Sequence, residues 1–294
     1  MSFIIFGDTV CDMTRQMRQQ YNIEYVKMNY CIDGKEYPAS LDWESHSAKE
    51  FYDMMRSGTV VTTTQVPRHV YEEAFENCCK EGKDVLYVAC SSALSGSINI
   101  AIVVANELKE KYPERSIRCV DSLISSLGHA SLLIKASQMR DAGKSADETA
   151  DWLEANRLKI NQVGTVDDLK YLSRAGRVKA GSAFFGNIFG VKPLIISDTV
   201  GQNFAVKKAK GALNAKREMA QMIAGWVENP EEQTLYISHA DDEVSAKQFA
   251  DEIMKVVPFK DCVLGYIAPI VGASVGPGTI ISFCYGKEVT LKGE

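Results

Sequence analysis

Hydroxyl side chains gather at two places where an apolar segment gives way to a helical pattern. The first cluster follows V-L-Y-V-A (85–89), and its serines are Ser91, Ser92, Ser95 and Ser97. The second cluster is T-T-T-Q at 62–65, which Pro67 follows. Such clusters can supply a nucleophile, bind a phosphate, bind a carboxylate or cap a helix. Each role requires different companion residues elsewhere in the chain.

A nucleophilic serine requires a neighbouring base. Of the four histidines in the chain, His239 in I-S-H-A-D-D follows a strand pattern and could act on Ser95 if the fold brings the two together. The serine cluster lacks the G-x-S-x-G pattern that exposes a hydrolase nucleophile. A serine-dependent esterase or acyltransferase using Ser95 and His239 is therefore the alternative hypothesis, beside the simpler interpretation of His239 as a surface loop residue.

Metal and nucleotide chemistry have less support in the sequence. Asp8 and Asp12 in G-D-T-V-C-D could act as paired ligands, but no closely spaced set of histidines and carboxylates accompanies them. Asp8 is better interpreted as the cap of a following helix. No G-x-x-x-x-G-K-[ST] loop is present. We therefore expect neither a metal nor a cofactor.

Recognition of a carboxylate or phosphate fits the hydroxyl clusters better. A helix that begins at Ser95 or Gly96 presents backbone N–H groups and the positive end of its dipole. Gly96 allows a ligand to approach the backbone closely. The hydroxyls of Ser95 and of Thr62–Thr64 add donors without adding charge. Two ordinary helix caps would explain the same residues, so both interpretations stay open on the pattern alone.

Composition narrows the class of protein. The chain has 294 residues, 46% of them hydrophobic and 24% charged, which is typical of a globular protein with one large or two ordinary domains. The net charge of -5 gives no electrostatic attraction to nucleic acid or to an anionic membrane surface. The eight cysteines form no C-x-x-C pair, and M-S-F-I-I-F-G-D has none of the features of a signal peptide. We expect reduced thiols and a cytoplasmic protein.

The first half of the chain alternates apolar runs with helical patterns. Strands are predicted at 3–6, 25–31, 85–89 and 117–120, and helices at 71–80, 97–111 and 127–142. This alternation predicts an α/β fold with a parallel sheet flanked by helices. Ligands of such sheets bind beyond the carboxyl ends of the strands, where the serine cluster lies.

The pattern changes after about residue 160, and we predict a second, α+β domain there. Helices are expected at 212–227 and 245–257, with a strand at 234–238 and two later strands. P-I-V-G-A-S-V-G-P-G-T between those later strands is predicted to be a loop, because glycine and proline punctuate it. The predicted division is therefore 1–160 and 161–294.

Several of these motifs, taken in order, resemble the DegV family of fatty-acid-binding proteins, and the resemblance runs through the whole chain. Its marks are Asp8-Thr9, Thr63-Thr64-Gln65, S-S-A-L-S-G-S (91–97), Asp121-Ser122, Ala175-Gly176-Arg177 and S-V-G-P-G (274–278). The order and spacing of the marks together make the resemblance specific. The chain differs from the family in Thr64, Ala175 and Ser97, and Ser274 stands where the family usually has histidine.

The resemblance implies a carrier of a long-chain fatty acid and no enzyme. Two domains of the DegV type would enclose the acyl chain in a tunnel between them, and a separate Dak-type fatty acid kinase would phosphorylate its carboxyl group. Thr63 and Ser95 match the positions that bind the carboxylate. The full set of ligand-binding positions implied for this chain is Thr63, Thr64, Ser95, Gly96, Ser97, Arg177, Ser274 and Gly276.

Burial of the acyl chain would supply most of the affinity, because each buried methylene contributes about 0.8 kcal/mol. The glycine-rich segment after Arg177 and the late apolar run offer candidate residues for such a lining. These candidates are Phe184, Phe185, Ile188, Phe189, Leu194, Ile195, Ile196, Ile267, Ile270 and Val271. Membership of an ordinary hydrophobic core is the other interpretation of the same residues.

Overall fold

A computed structural model describes residues 3–179 and 190–293. Its strands are short, with between two and eight residues each. In chain order they are β1 (Phe3–Asp8), β2 (Ile23–Val26), β3 (Asn29–Ile32), β4 (Lys35–Pro38), β5 (Val61–Thr64), β6 (Asp84–Ala89), β7 (Ile117–Asp121), β8 (Ile160–Thr165), β9 (Val178–Lys179), β10 (Val191–Ser197), β11 (Asn203–Lys210), β12 (Thr234–His239), β13 (Asp261–Tyr266) and β14 (Ile280–Tyr285).

The helices carry recognisable start signals. Ser47 and Ser145 each form a capping box, with Glu50 and Glu148 respectively, and so fix the first turns of their helices. The helices are α1 (Arg15–Tyr21), α2 (Ala48–Arg56), α3 (Arg68–Lys80), α4 (Ser97–Lys111), α5 (Ser126–Asp141), α6 (Ala146–Asn156), α7 (Leu169–Ala175), α8 (Ala212–Trp226), α9 (Glu243–Met254) and α10 (Pro269–Val275). Within the described ranges, no helix is both long enough and apolar enough to cross a membrane.

The strands of the described residues form three sheets. One is entirely parallel, in the order β2-β1-β6-β7, which confirms the predicted parallel sheet of an α/β fold. A small antiparallel sheet has the order β4-β3-β5. The third is mixed, in the order β13-β12-β14-β8-β10-β11-β9, and its strands all come from Ile160 onward. Strand β5, which carries Thr62–Thr64, therefore belongs to a different sheet from β6, which precedes the serine cluster.

Two predicted elements differ from the structure. The strand predicted at 25–31 is two strands, because β2 pairs in the parallel sheet whereas β3 pairs in the small one. Met28 lies between them, and its N–H donates to the Thr9 hydroxyl at 2.9 Å. The loop predicted at 269–279 begins as helix α10. Proline suits the first turn of a helix, and Gly272 lies so close to Tyr52 that a Cβ would be 2.5 Å from the Tyr52 hydroxyl.

The largest hydrophobic core joins residues from both halves of the chain. Helix α5 packs against β1 on one side and against β12 and β14 on the other. Its Gly128 lies directly against the ring of Phe283, where a Cβ would be 2.6 Å from the ring. A second core lies between α8, α9 and the mixed sheet. The parallel and mixed sheets are therefore held together by a continuous apolar contact, and the division at residue 160 stays a prediction.

Candidate functional site

The fold brings the two hydroxyl clusters together. Strand β5 ends at Thr64, just before α3, and the turn after β6 leads into α4 at Ser97. The Ser97 hydroxyl accepts a hydrogen bond from Val66 N at 3.3 Å and so links the two junctions. Tyr30 of β3 sets the position of Thr63, because the two residues are paired in the small sheet. The two clusters thus lie next to each other, although 31 residues separate Val66 from Ser97 along the chain.

A cavity of about 110 Å³ lies at this junction. Its wall combines hydroxyls from the two junctions with apolar side chains from α7 and α10. The lining residues are Val10, Met28, Thr63, Thr64, Gln65, Cys90, Leu94, Ser95, Gly96, Ser125, Leu172, Arg177, Val178, Asn203, Ile270, Val271, Ser274 and Val275. Six of the eight positions implied by the family resemblance are in this set. They are Thr63, Thr64, Ser95, Gly96, Arg177 and Ser274.

Ser97 and Gly276, the other two positions, are absent from the cavity wall as the described residues form it. The Ser97 side chain is buried, and its hydroxyl lies 3.0 Å from the Ser95 hydroxyl. Ser97 therefore lies behind the cavity wall and orients the Ser95 hydroxyl through this hydrogen bond. Gly276 follows α10 with a φ of 79°, and a Cβ there would collide with the ring of Tyr171. Gly276 serves close packing between the loop and α7.

Several cavity hydroxyls have no hydrogen-bond partner within residues 3–179 and 190–293. These are the hydroxyls of Thr63, Thr64, Ser125 and Ser274. Ser95 donates to Ser97 and accepts from the Ser97 N–H at 3.3 Å. A serine hydroxyl can rotate, so Ser97 can donate to Ser95 while Ser95 donates into the cavity. The wall therefore offers several uncharged donors to one acceptor group.

Arg177 is the one charged residue among the described residues that line the cavity. It is exposed, and its guanidinium donates to Leu94 O at 2.9 Å and to Ala175 O at 2.6 Å. No carboxylate of the described chain pairs with it. Because the backbone carbonyls fix the guanidinium without neutralising it, the rim of the cavity attracts anions.

Asp8 supports the floor of the cavity. Its buried carboxylate accepts hydrogen bonds from Val10 N at 2.9 Å, Cys90 N at 2.9 Å and the Tyr87 hydroxyl at 3.0 Å. The bond from Val10 N caps the short 3₁₀ helix Thr9–Cys11, as predicted. Burial raises the pKa of the Cys90 thiol well above its usual value, so this thiol stays protonated at neutral pH.

Asp12, the other candidate metal ligand, is occupied by protein donors. Its carboxylate accepts from Ala268 N at 2.9 Å and from the Ser126 hydroxyl. In the described part of the chain, no three histidine, cysteine or acidic residues are grouped as a metal site would require.

The structure separates Ser95 from His239. His239 lines a different cavity, beside Trp43 and Tyr266, and its ring centre lies 4.4 Å from that of Tyr266. Its Nδ1 accepts from Asp242 N at 3.3 Å, and burial lowers its pKa. It is buried at the end of β12, so the interpretation as a surface loop residue is wrong. None of the described residues that line the cavity with Ser95 is a histidine, which removes the support for the esterase hypothesis.

The predicted apolar lining is found only in part. Ile270 and Val271 line the cavity, and Ile195 lines a smaller adjoining one. Leu194 and Ile196 belong instead to the second core, because alternate residues of a strand face opposite sides of the sheet. Ile267 is buried in the main core without reaching the cavity. Phe184, Phe185, Ile188 and Phe189 lie outside the described residues.

Gln65 of the second hydroxyl cluster also lines the cavity, and its amide packs against Gly96, where a Cβ would be 2.6 Å from Gln65 Nε2. Other lining residues were not singled out from the sequence. Val10, Leu172 and Asn203 come from three distant segments of the chain. No local sequence signal distinguishes such residues from ordinary core or strand residues.

A family model described as "Uncharacterised protein, DegV family" matches residues 2–287. The chain belongs to the DegV family. A DegV domain-containing protein of Clostridium perfringens is 36% identical over 284 residues, which are 97% of each chain. The resemblance drawn from the motifs is confirmed.

Solved DegV structures have the same fold. A fatty-acid-binding DegV family protein from Thermus thermophilus gives a TM-score of 0.87 at 23% identity, covering 98% of this chain and 100% of the other. A DegV family protein from Ruminococcus gnavus, refined with vaccenic acid, gives 0.86 at 23% identity, covering 96% and 99%. Those DegV proteins bind fatty acids.

Proposed function

We propose that this DegV protein binds a long-chain fatty acid, with its carboxylate between Thr63 and Ser95 and its acyl chain along Ile270 and Val271. One observation carries the proposal. The same cavity has hydroxyls from the two junctions, of which those of Thr63 and Thr64 have no partner in the described protein, and an apolar wall from α7 and α10. Fatty-acid binding by DegV proteins of the same fold supports it.

The energetics assign different tasks to the two ends of the ligand. Burial of roughly fourteen methylenes contributes about 11 kcal/mol, at about 0.8 kcal/mol each. A hydrogen bond to a charged group contributes about 1.5–3 kcal/mol net. The acyl chain therefore supplies most of the affinity, whereas the hydroxyls select a carboxylate. Arg177 adds a long-range attraction at the rim without entering an ion pair with a carboxylate of the described protein.

Titration with oleate tests this assignment. The double variant Thr63→Val, Ser95→Ala removes both hydroxyls while keeping similar side-chain volumes, and we expect at least a tenfold rise in Kd. Ser92→Ala is the matched control, because Ser92 lies in the same turn but is exposed and does not line the cavity. Unchanged affinity in the double variant would place the carboxylate elsewhere. A wild-type protein that binds no oleate and carries no co-purified acid refutes fatty-acid binding.

The proposal extends to the fate of the ligand: the protein presents the carboxyl group to a Dak-type fatty acid kinase. Thr64 and Arg177 are exposed, and this exposure at the polar end of the cavity supports access by a second protein. The acid-loaded protein, ATP and a purified bacterial fatty acid kinase should yield acyl phosphate, trapped as a hydroxamate. The kinase with a DegV protein of its own organism is the positive control. Bound acid without acyl phosphate refutes this step and leaves fatty-acid binding intact.

A further inference from the structure

A second, smaller cavity of about 20 Å³ adjoins the first. It is formed by β8, β10 and β14 behind α7 and α10. Four residues line both cavities, so the two cavities lie next to each other. These residues are Leu172, Val178, Asn203 and Val275. An acyl chain bound as proposed above has this smaller cavity as its continuation away from the hydroxyls.

The wall of the smaller cavity contains a polar pair among apolar residues. Gln162 on β8 is only 5% exposed, and its Nε2 donates to Asn203 Oδ1 at 3.0 Å. Gln162 Oε1 is buried and has no hydrogen-bond partner in the described structure. Asn203 Nδ2 likewise makes no hydrogen bond to any described residue. The pair thus leaves one acceptor and one donor unused beside the cavity.

The strand register places Gln162 on the cavity side of its sheet. Gln162 is paired with Phe283, and Gly164 with Ile281, both of which belong to the main core. Val163, between them, belongs to the second core on the opposite face. The unused oxygen is therefore on the same side as the cavity wall that Gly164 and Ile281 form. Thr165, a further lining residue, also has a buried hydroxyl without a partner.

A buried polar atom without a partner is unfavourable, and an unsubstituted methylene chain cannot supply one. A hydroxyl group both donates and accepts, so it can donate to Gln162 Oε1 and accept from Asn203 Nδ2. If the oxygen and nitrogen positions of both amides are exchanged, the pair still leaves one donor and one acceptor for the hydroxyl group. We propose that the Gln162–Asn203 pair is a subsite for a hydroxyl on the acyl chain, so that the protein prefers hydroxylated over unsubstituted fatty acids. This inference rests on the proposed fatty-acid binding.

Competition binding with stearate and a set of hydroxystearates tests the subsite. The hydroxyl is placed near the carboxyl group, in mid-chain or near the methyl end. We expect one positional isomer to bind about tenfold more tightly than stearate. In Gln162→Met, which keeps a similar length without polar atoms, this preference should disappear while stearate binds at least as well. Gln20→Met is the control, because Gln20 is exposed on α1.

The outcomes separate the two proposals. Tight stearate binding without preference for any isomer overturns the hydroxyl subsite, as expected if water satisfies the pair, and leaves fatty-acid binding standing. Failure of every acid to bind refutes both. A preference that survives in Gln162→Met also overturns the assignment. If that variant does not fold, the same competition is measured with Asn203→Leu. Loss of the wild-type preference in Asn203→Leu supports the subsite, and its persistence overturns the assignment.

Discussion

Asp12 offers the sharpest test of the contact between the two halves of the protein. It lies just after β1, at a left-handed φ of 53°, and is 4% exposed. Its carboxylate accepts from Ala268 N, which precedes α10, and from the Ser126 hydroxyl at the start of α5. Ser126 in turn lies 2.8 Å from the Ser238 hydroxyl of β12. The substitution Asp12→Asn keeps the shape of this side chain and replaces its titratable carboxyl group by an amide.

Burial raises the pKa of Asp12 from 3.8 to about 8, and the hydrogen bonds from Ser126 and Ala268 only partly oppose this. Between these two pH values the native protein keeps a proton that the unfolded chain has released. The contribution of Asp12 to the free energy of unfolding is therefore greatest below the unfolded pKa and falls as pH rises towards the folded one. The expected slope is about 1.4 kcal/mol per pH unit, or about 3 kcal/mol between pH 5 and 7.

Urea unfolding of both proteins from pH 5 to 8 measures this slope. The introduced asparagine carries no titrating proton, can donate to Ser126 and accept from Ala268 N, and tolerates the left-handed backbone. The variant should gain stability relative to wild type by up to about 3 kcal/mol as pH rises from 5 to 7. Asp53→Asn is the control, because Asp53 is exposed and hydrogen bonds from Lys49 and Arg56 lower its pKa. Parallel profiles for wild type and Asp12→Asn would refute a protonated native Asp12.

Gly276→Ala tests the packing that frames the site, with Gly34→Ala as its control, and Ser145→Ala tests a helix cap elsewhere in the fold. Gly276→Ala should lower the free energy of unfolding by at least about 2 kcal/mol, since the new Cβ meets the Tyr171 ring at a positive φ. Gly34→Ala, also at positive φ but in open space, should cost only about 1 kcal/mol in the same urea titration. Ser145→Ala, which breaks the capping box with Glu148, should cost about 1 kcal/mol in thermal unfolding, and an unchanged midpoint contradicts it.

Local sequence patterns were sufficient for most elements of the parallel sheet. Helix α4 spans the 97–111 that its apolar spacing predicts, and β6 and β7 extend their predicted runs by one residue each. These elements follow from periodicity, caps and turn residues, which act over a few positions. The prediction of a loop at 269–279 was wrong for 269–275, because contact with Tyr52 makes a glycine favourable inside α10, and right for 276–279.

Patterns in the sequence were enough to show that two hydroxyl clusters end strands, that the chain is an α/β protein, and that its motifs are those of the DegV family. The folded structure was needed to show that Thr63 and Ser95 line one cavity, that His239 lines another, and that Gln162 pairs with Asn203 across 41 residues. Side-chain periodicity indicates which face of an element is buried, whereas the partner on that face depends on strand order and register across the whole chain.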